Sequence, residues 1–457
     1  MSDLLRRLRP TQIIVLSFST TILIGSVLLC LPFASVGEPL RYVDALFTAA
    51  SAVCVTGLTV VDTGSHFTLF GQLVILLLIQ MGGLGIMTLG TFFVAALGGR
   101  LGWRGRDLID RTLTHDLRTD LWRLLKTVVV VTLSIEAVGA VLLAIRFLPR
   151  MPVLTALYHA VFHSVSAFCN AGFSLYADSF QGYAADLTVN LTLMALIVAG
   201  GLGFIVLIEL RRLAERRLSP DRSAMPRLSF HSRLTLTFTG AIILIAMVLF
   251  LALEWTDTLA GMPWPQKVLA SLFQAVTPRT AGFNTVPIAE TSNATMFLLI
   301  LVMFIGGASG SCAGGVKVST FGVLVAMAVS RMRGSIDTEL YGRRVSQRSE
   351  SEALSVMLMG VTVVVLFTFL IVAEEVGTMS FGASRGEFIR LFFETVSAFG
   401  TVGLSTGVTT DLSTIGRLLM TLLMLIGRLG PLTMGLAVAA RMRRPLYRYP
   451  EERVMVG

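Results

Sequence analysis

The chain has 457 residues, 54% of them hydrophobic and 14% charged, with a formal net charge of +9. A mean hydropathy of +0.78 excludes a water-soluble protein of two or three domains. The basic residues fall in clusters between apolar runs, not in one patch interleaved with aromatics, so no nucleic acid partner is expected.

In chain order, Arg6, Arg7 and Arg9 precede an apolar run over 11–31 that is long for a secretory leader and lacks an A-x-A site. It predicts a retained membrane helix. Further runs at 69–97, 124–147, 187–210, 234–253, 296–329, 354–373 and 418–440 predict seven more, since roughly 20 apolar residues cross a bilayer. The connections 99–126, 211–233 and 331–351 and the tail from Arg441 carry most of the arginines. By the positive-inside rule they face the cytoplasm, as do both termini, in a multi-pass protein of the bacterial inner (plasma) membrane.

The other connections each hold a shorter apolar stretch, at 44–53, 157–168, 267–276 and 388–399. At about a dozen residues these span half a membrane and read as re-entrant pore helices. Asp44 suits the N-terminus of the first as a plain cap. Each stretch ends in a related motif: Val55-Thr56-Gly57-Leu58-Thr59, Asn170-Ala171-Gly172-Phe173-Ser174, Thr280-Ala281-Gly282-Phe283-Asn284 and Thr401-Val402-Gly403-Leu404-Ser405. A second mark follows in the next helix of each unit: Gly82-Gly83-Leu84-Gly85, Gly200-Gly201-Leu202-Gly203, Gly306-Gly307-Ala308-Ser309-Gly310 and Gly427-Arg428-Leu429-Gly430. Two marks in register define a fourfold internal repeat. The units are 1–98, 99–216, 217–330 and 331–457, related by an axis along the membrane normal. The fold class is an all-α membrane protein with four parallel helix, pore helix, filter loop, helix repeats around a central pathway.

Irregular backbone at membrane depth is tolerated only where it is buried in protein or lines a cavity. Rings of backbone carbonyls replace the water shell of a dehydrated potassium ion, and glycine permits the positive φ that aims them inward. The negative ends of the pore helices favour cations. The expected filter residues are Val55, Thr56, Gly57, Asn170, Ala171, Gly172, Thr280, Ala281, Gly282, Thr401, Val402 and Gly403, with K+ at their backbone carbonyls.

These loops, the eight-helix plan and the segment Gly306-Gly307-Ala308-Ser309-Gly310-Ser311-Cys312-Ala313-Gly314-Gly315-Val316-Lys317 resemble the Trk/Ktr/HKT superfamily of potassium transporters over nearly the whole chain. The short N-terminus is more similar to the Ktr (KtrB-type) membrane subunit than to the longer Trk type. The resemblance implies potassium uptake with one glycine per repeat, stimulation by Na+ as activator or coupling ion, a homodimer, and a cytosolic RCK-type (KtrA-like) nucleotide-binding ring. Members that favour sodium often carry serine for the first-repeat glycine, where Gly57 stands here. The chain itself implies no cofactor. Alternatives are a sodium- or ammonium-conducting pathway, or a non-conducting scaffold subunit.

The run 296–329 is too long for one simple span, and Gly306 to Gly315 should leave helical form, because glycine costs a helix about 1 kcal/mol relative to alanine. Close helix packing is one reading. The other, matching the family's intramembrane loop, is a gate comprising Gly306, Gly307, Ser309, Gly310, Ser311, Gly314, Gly315 and Lys317, with Arg428 beside it. Arg428 either projects into the pathway as a cation barrier that helps hold the loop, or pairs with an acid such as Glu136. Arg279, just ahead of the third motif, is expected to point behind the filter toward Glu394. His159 and His163, four apart, are expected to pack or hydrogen-bond rather than to ligate metal. Cys30, Cys54, Cys169 and Cys312 form no CxxC pair. Acidic residues scatter, with Glu254, Glu374 and Glu375 at helix ends, so an enzyme is not expected.

Overall fold

The computed structural model describes residues 10–85, 121–218, 228–380 and 382–430. One succession recurs four times in them: a long helix, a short helix, an extended loop and a second helix. The first unit holds α1 (Pro10–Leu29), α2 (Tyr42–Val53) and α3 (Leu69–Gly83); the second holds α4 (Leu121–Phe147), α5 (Val153–Phe168) and α6 (Leu187–Leu202), followed by α7 (Phe204–Leu218). The third holds α8 (Phe230–Glu254), α9 (Trp264–Val276) and α10 (Asn293–Phe304), followed by α11 (Val318–Met332); the fourth holds α12 (Gln347–Glu375), α13 (Glu387–Gly400) and α14 (Thr414–Leu429).

The first helix of each unit carries an apolar span, of 18, 22, 25 and 29 residues in turn, enough for a hydrocarbon core that needs roughly 20. Leu23, Val138, Leu244 and Phe369 on these helices are more than half exposed, an outward apolar face suited to lipid. The short helices are the reverse. Phe47, Phe162, Phe273 and Phe393, one from each, are fully buried.

Each second helix stops partway, as expected for the run 296–329 from its glycines but not for 69–97, 187–210 and 418–440, which were predicted as plain spans. α6 and α7 meet at 110°, and α10 is separated from α11 by the segment 305–317. α10 ends otherwise, at the extended Ile305, and Gly310 (φ +73°) lies within the segment that follows; at the other three ends the cause is the second glycine mark, Gly85, Gly203 and Gly430 having φ of +71°, +84° and +84°. Those left-handed values end a helix, and glycine adopts them without a Cβ clash. The rest of the predicted runs 69–97 and 418–440, and the tail from Arg441, lie outside the described residues.

The units close into a ring, α3 packing on α5, α6 on α9, α10 on α13, and α14 back on α2. At what we term the upper end, each second helix is fastened to the segment that ends its partner. Thr68 donates to Phe33 O at 2.7 Å. Arg146 reaches Asp186 at 2.8 Å, while Glu254 and Glu375 accept from the amides of Ser292 (3.0 Å) and Ser413 (2.9 Å). Asp186, Ser292 and Ser413 are themselves the N-caps of α6, α10 and α14. Between α11 and α12, where a plain loop was expected, Glu339–Leu340 pairs antiparallel with Arg343–Arg344.

Candidate functional site

The loop after each short helix contains two left-handed residues. One is the glycine, with φ of +91° at Gly57, +70° at Gly172, +76° at Gly282 and +87° at Gly403. The other lies two residues earlier: Val55 (+58°), Asn170 (+60°), Thr280 (+73°) and Thr401 (+51°). Sequence reasoning assigned that conformation to glycine alone. In a β-branched residue it costs of order 1–3 kcal/mol, and such strain persists only where the surroundings impose it. Alternating the sign of φ turns successive carbonyls to one side of the chain.

The four loops meet. A Cβ on Gly57 would lie 2.5 Å from Ala171 O, one on Gly172 2.8 Å from Ala281 O, and one on Gly282 2.5 Å from Val402 O. One on Gly403 would collide with Thr56 O, which closes the circle. Every glycine thus faces the carbonyl that precedes the glycine of the next unit, and no unit stands apart. Above the ring lies a cavity of about 240 Å³ lined by all four glycines and by the motif residues two positions on, Thr59, Ser174, Asn284 and Ser405. Asp62 is the acidic residue in that lining.

The residues that hold these loops from behind were missed in the sequence. Ser51, Ser166, Thr277 and Ser397 accept, on their carbonyls, the amides of Thr56 (2.8 Å), Ala171 (2.7 Å), Ala281 (2.9 Å) and Val402 (2.8 Å). Their hydroxyls engage as well. Ser51 and Ser397 accept from Gly57 N and Gly403 N, both at 3.0 Å, whereas Ser166 and Thr277 donate to Phe173 O (2.8 Å) and Phe283 O (2.5 Å). The signal was a Ser six residues before the glycine in three repeats, blurred by a third repeat that is one residue shorter. Asn170 ties two units together, its amide carbonyl accepting from Thr280 Oγ1 at 3.2 Å while its nitrogen donates to Ala167 O and Ile197 O.

Other expectations need correction. Asp44 is not a plain cap: Arg41 holds that position, and the Asp44 carboxylate pairs with Arg417 of α14, joining the first unit to the fourth. Arg279 is buried behind its loop as expected, but it donates to Thr239 Oγ1 at 3.2 Å instead of meeting Glu394. Glu394 is already occupied by Ser405 Oγ (2.6 Å), Thr406 N (2.9 Å) and Thr409 Oγ1 (2.9 Å). His163 accepts from Leu175 N at 3.1 Å on one ring nitrogen and donates to His159 O at 2.8 Å from the other, so it braces the second loop. His163 and Glu394 each lie nine residues before their glycine.

Below the ring, the segment after α10 crosses under the other units. Ala308 N and Cys312 N donate to Gly201 O (2.9 Å) and Gly200 O (3.2 Å), carbonyls that the end of α6 leaves free. Ile305 and Val316 form a parallel bridge that folds the segment back on itself. A Cβ on Gly314 would run into Thr401, and one on Gly307 would lie 2.8 Å from Gly201 O, so the predicted residues Gly306, Gly307, Ser309, Gly310, Ser311, Gly314 and Gly315 occupy a tight plug. Ser309 meets Ser319 at 3.0 Å, and Ser311 donates to Ala308 O at 2.7 Å. Arg428 is buried and donates to Cys312 O and Gly82 O. It does not pair with Glu136, which takes a bond from Gln80 at 3.3 Å. Lys317 donates to Ala313 O at 2.6 Å. Among the described residues, neither cation is within ion-pair distance of a carboxylate.

The family model for TrkH, a cation transport protein, matches residues 5–447. The chain is 39% identical to Ktr system potassium uptake protein B of Bacillus subtilis, with 99% of this chain and 97% of that protein covered. It is 38% identical to the protein of the same name from Vibrio alginolyticus (98% and 94% covered) and 36% identical to the potassium/sodium uptake protein NtpJ of Enterococcus hirae (99% and 98%). In structure it is similar to the potassium transporter TrkH of Vibrio parahaemolyticus, with a TM-score of 0.71 at 20% identity over 94% of this chain and 84% of that one, a likeness of fold. A closed ring of four glycine loops on a helical membrane scaffold and a match over nearly its whole length agree: the chain belongs to the TrkH family of cation transport proteins, in the Trk/Ktr/HKT superfamily, and is not an enzyme.

Proposed function

We propose that this protein takes up potassium across the plasma membrane, the ion shedding water against the carbonyls of the four loops and leaving past the 305–317 segment. The observation that carries this reading is the cyclic contact of Gly57, Gly172, Gly282 and Gly403 with the carbonyls of Ala171, Ala281, Val402 and Thr56. Four carbonyls converging where a Cβ has no room are a coordination layer for a bare cation, and the short helices aim their negative ends at it. The relatives' names supply the ion.

The 305–317 segment is the gate: it closes the lower side with hydrogen bonds to the second unit and to Arg428, all replaceable by water when it moves. Arg428 and Lys317 add a positive barrier beneath the loops. Relatives named as parts of a Ktr system support a second component, which we take to be an RCK-type nucleotide-binding ring docked on the cytoplasmic side of a homodimer, with both termini on that side. Membrane potential drives uptake at about 2.3 kcal/mol per charge per 100 mV.

Rubidium uptake by purified protein in vesicles, with Gly282→Ser as the matched control, tests the reading. Saturable uptake lost in the variant is expected, and equal uptake by both sinks the filter assignment. The name of the Enterococcus hirae relative favours one second reading, a pathway that also passes or requires sodium. It predicts sodium flux comparable to rubidium flux, or rubidium uptake that rises with external sodium.

A further inference from the structure

Two buried thiols from different units reach the same glycine, Gly83, beneath the ring. Cys169 is the C-cap of α5, immediately before Asn170. Its Sγ lies 3.7 Å from Gln80 Oε1 and 3.8 Å from Glu136 Oε1. Cys312 sits in the middle of the 305–317 segment, its Sγ donating to Gly83 O at 3.0 Å while its carbonyl accepts from Arg428. Both sulfurs lie against Gly83: an added Cβ there would be 2.7 Å from Cys169 Cβ, and its carbonyl accepts from Cys312 Sγ. One thiol therefore belongs to the fixed end of a short helix and the other to the segment read above as the gate.

We infer that Cys169 and Cys312 form a thiol clamp, a modification site at which joining the two sulfurs fastens the 305–317 segment to α5 and holds the pathway shut. The inference rests on the gate reading of that segment. The chemistry is a two-electron oxidation by a small azo or disulfide reagent. With an azo compound, one thiol adds across the N=N bond. The second sulfur then displaces the nitrogen, forming S–S and releasing a hydrazine that carries both protons and the electron pair. A disulfide needs Cβ atoms about 3.5–4.5 Å apart. Two thiols seated against one residue reach this by side-chain rotation and a small shift of the 305–317 segment. The hydrogen bonds that hold the segment, among them those at Ala308 N, Cys312 N and Arg428, can be exchanged for bonds to water when it swings away. The added covalent bond does not exchange.

The test uses the full-length protein in vesicles treated with diamide, read in two ways: non-reducing peptide mass spectrometry after alkylation, and rubidium uptake. The expected result is a peptide linked through Cys169 and Cys312, uptake falling about tenfold or more, and recovery of both on adding dithiothreitol. Cys312→Ser and Cys312→Ala, each compared with its own untreated sample, should lose the link and the diamide effect; either variant suffices if the other fails to fold. Absence of the linked peptide overturns the thiol pair itself. A linked peptide with undiminished uptake overturns the gate reading beneath it, and inhibition that survives in the Cys312 variants overturns the clamp.

Discussion

The upper and lower halves of the pathway are built from the same two glycine marks and use them in opposite ways. Above, four loops repeat one conformation: a left-handed residue, one without positive φ, then a left-handed glycine that faces its neighbour's carbonyl. Below, the marks share only their last glycine's φ. One leads into a 110° bend at Gly203, one opens into the 305–317 segment, and in the fourth an arginine replaces a small residue and reaches across to two other units. Repetition gives a coordination layer its symmetry. Departure from repetition gives the lower half one segment unlike the rest, the one proposed as the gate.

The comparison is broken most directly by adding one methyl group to each half. Gly403→Ala puts a Cβ into Thr56 O at a φ of +87°, where both terms oppose it. Rubidium uptake should fall about 100-fold or more. Gly201→Ala adds a Cβ that meets only the Asn170 side-chain amide at 3.4 Å, an ordinary contact within a helix. Its uptake should stay within about twofold of the parent. Equal losses in the two would show that the upper ring has no special demand for glycine.

Arg428→Ala tests the asymmetric half. It removes a buried positive charge and leaves Cys312 O and Gly82 O without their donors. Uptake should rise about tenfold, with Arg428→Lys intermediate because an ammonium keeps the charge without the fork that spans both carbonyls. Unchanged flux in Arg428→Ala would remove the barrier role.

The difference between the halves also governs what the sequence reveals. The repeat, the short helices and all four glycines are legible because spacing and hydropathy carry them, and the departure of 306–315 from helix follows from its glycine content. The partners are not legible. Glu394 and Arg279 were matched by charge, yet Glu394 is filled by three hydroxyls and an amide only 11 to 15 residues away in the chain. Local donors reach a buried carboxylate at less entropic cost than a long side chain from another unit. Asp44 finds Arg417 373 residues later, a distance at which pattern offers no guide. The Ser51, Ser166, Thr277 and Ser397 set was visible in principle, but serine near a helix end has many uses.

That set yields a smaller, sharper test of how the upper ring is held. Ser397→Ala strips Gly403 N of its 3.0 Å acceptor, and an unpaired buried amide costs about 1–3 kcal/mol. The rubidium-to-sodium uptake ratio should fall about threefold as the loop relaxes, and Ser397→Thr should restore it. A loss of total uptake with an unchanged ratio would mean the hydroxyl serves folding alone.

The smallest expected effect lies at the fastening of the second unit, outside the pathway. Burial alone would push the Asp186 carboxyl up. The hydrogen bonds from Arg146 and from Val189 N, with the charges of Arg146 and Arg150, outweigh it and hold the carboxyl below the usual range. A carboxyl depressed in the folded state contributes stability above its unfolded pKa of about 3.9, and the contribution fades as pH falls through the folded value. Asp186→Asn should therefore lower the Tm of the detergent-solubilised protein by about 2–4 °C at pH 7. Below about pH 4 the deficit should shrink, because the parent then loses the same charge. Rubidium selectivity should not change, since α6 still starts at the same residue and the glycine ring is held by other bonds. A deficit equal at pH 7 and pH 3 would show that the carboxylate's charge contributes nothing, because an asparagine side chain can keep the N-cap hydrogen bond.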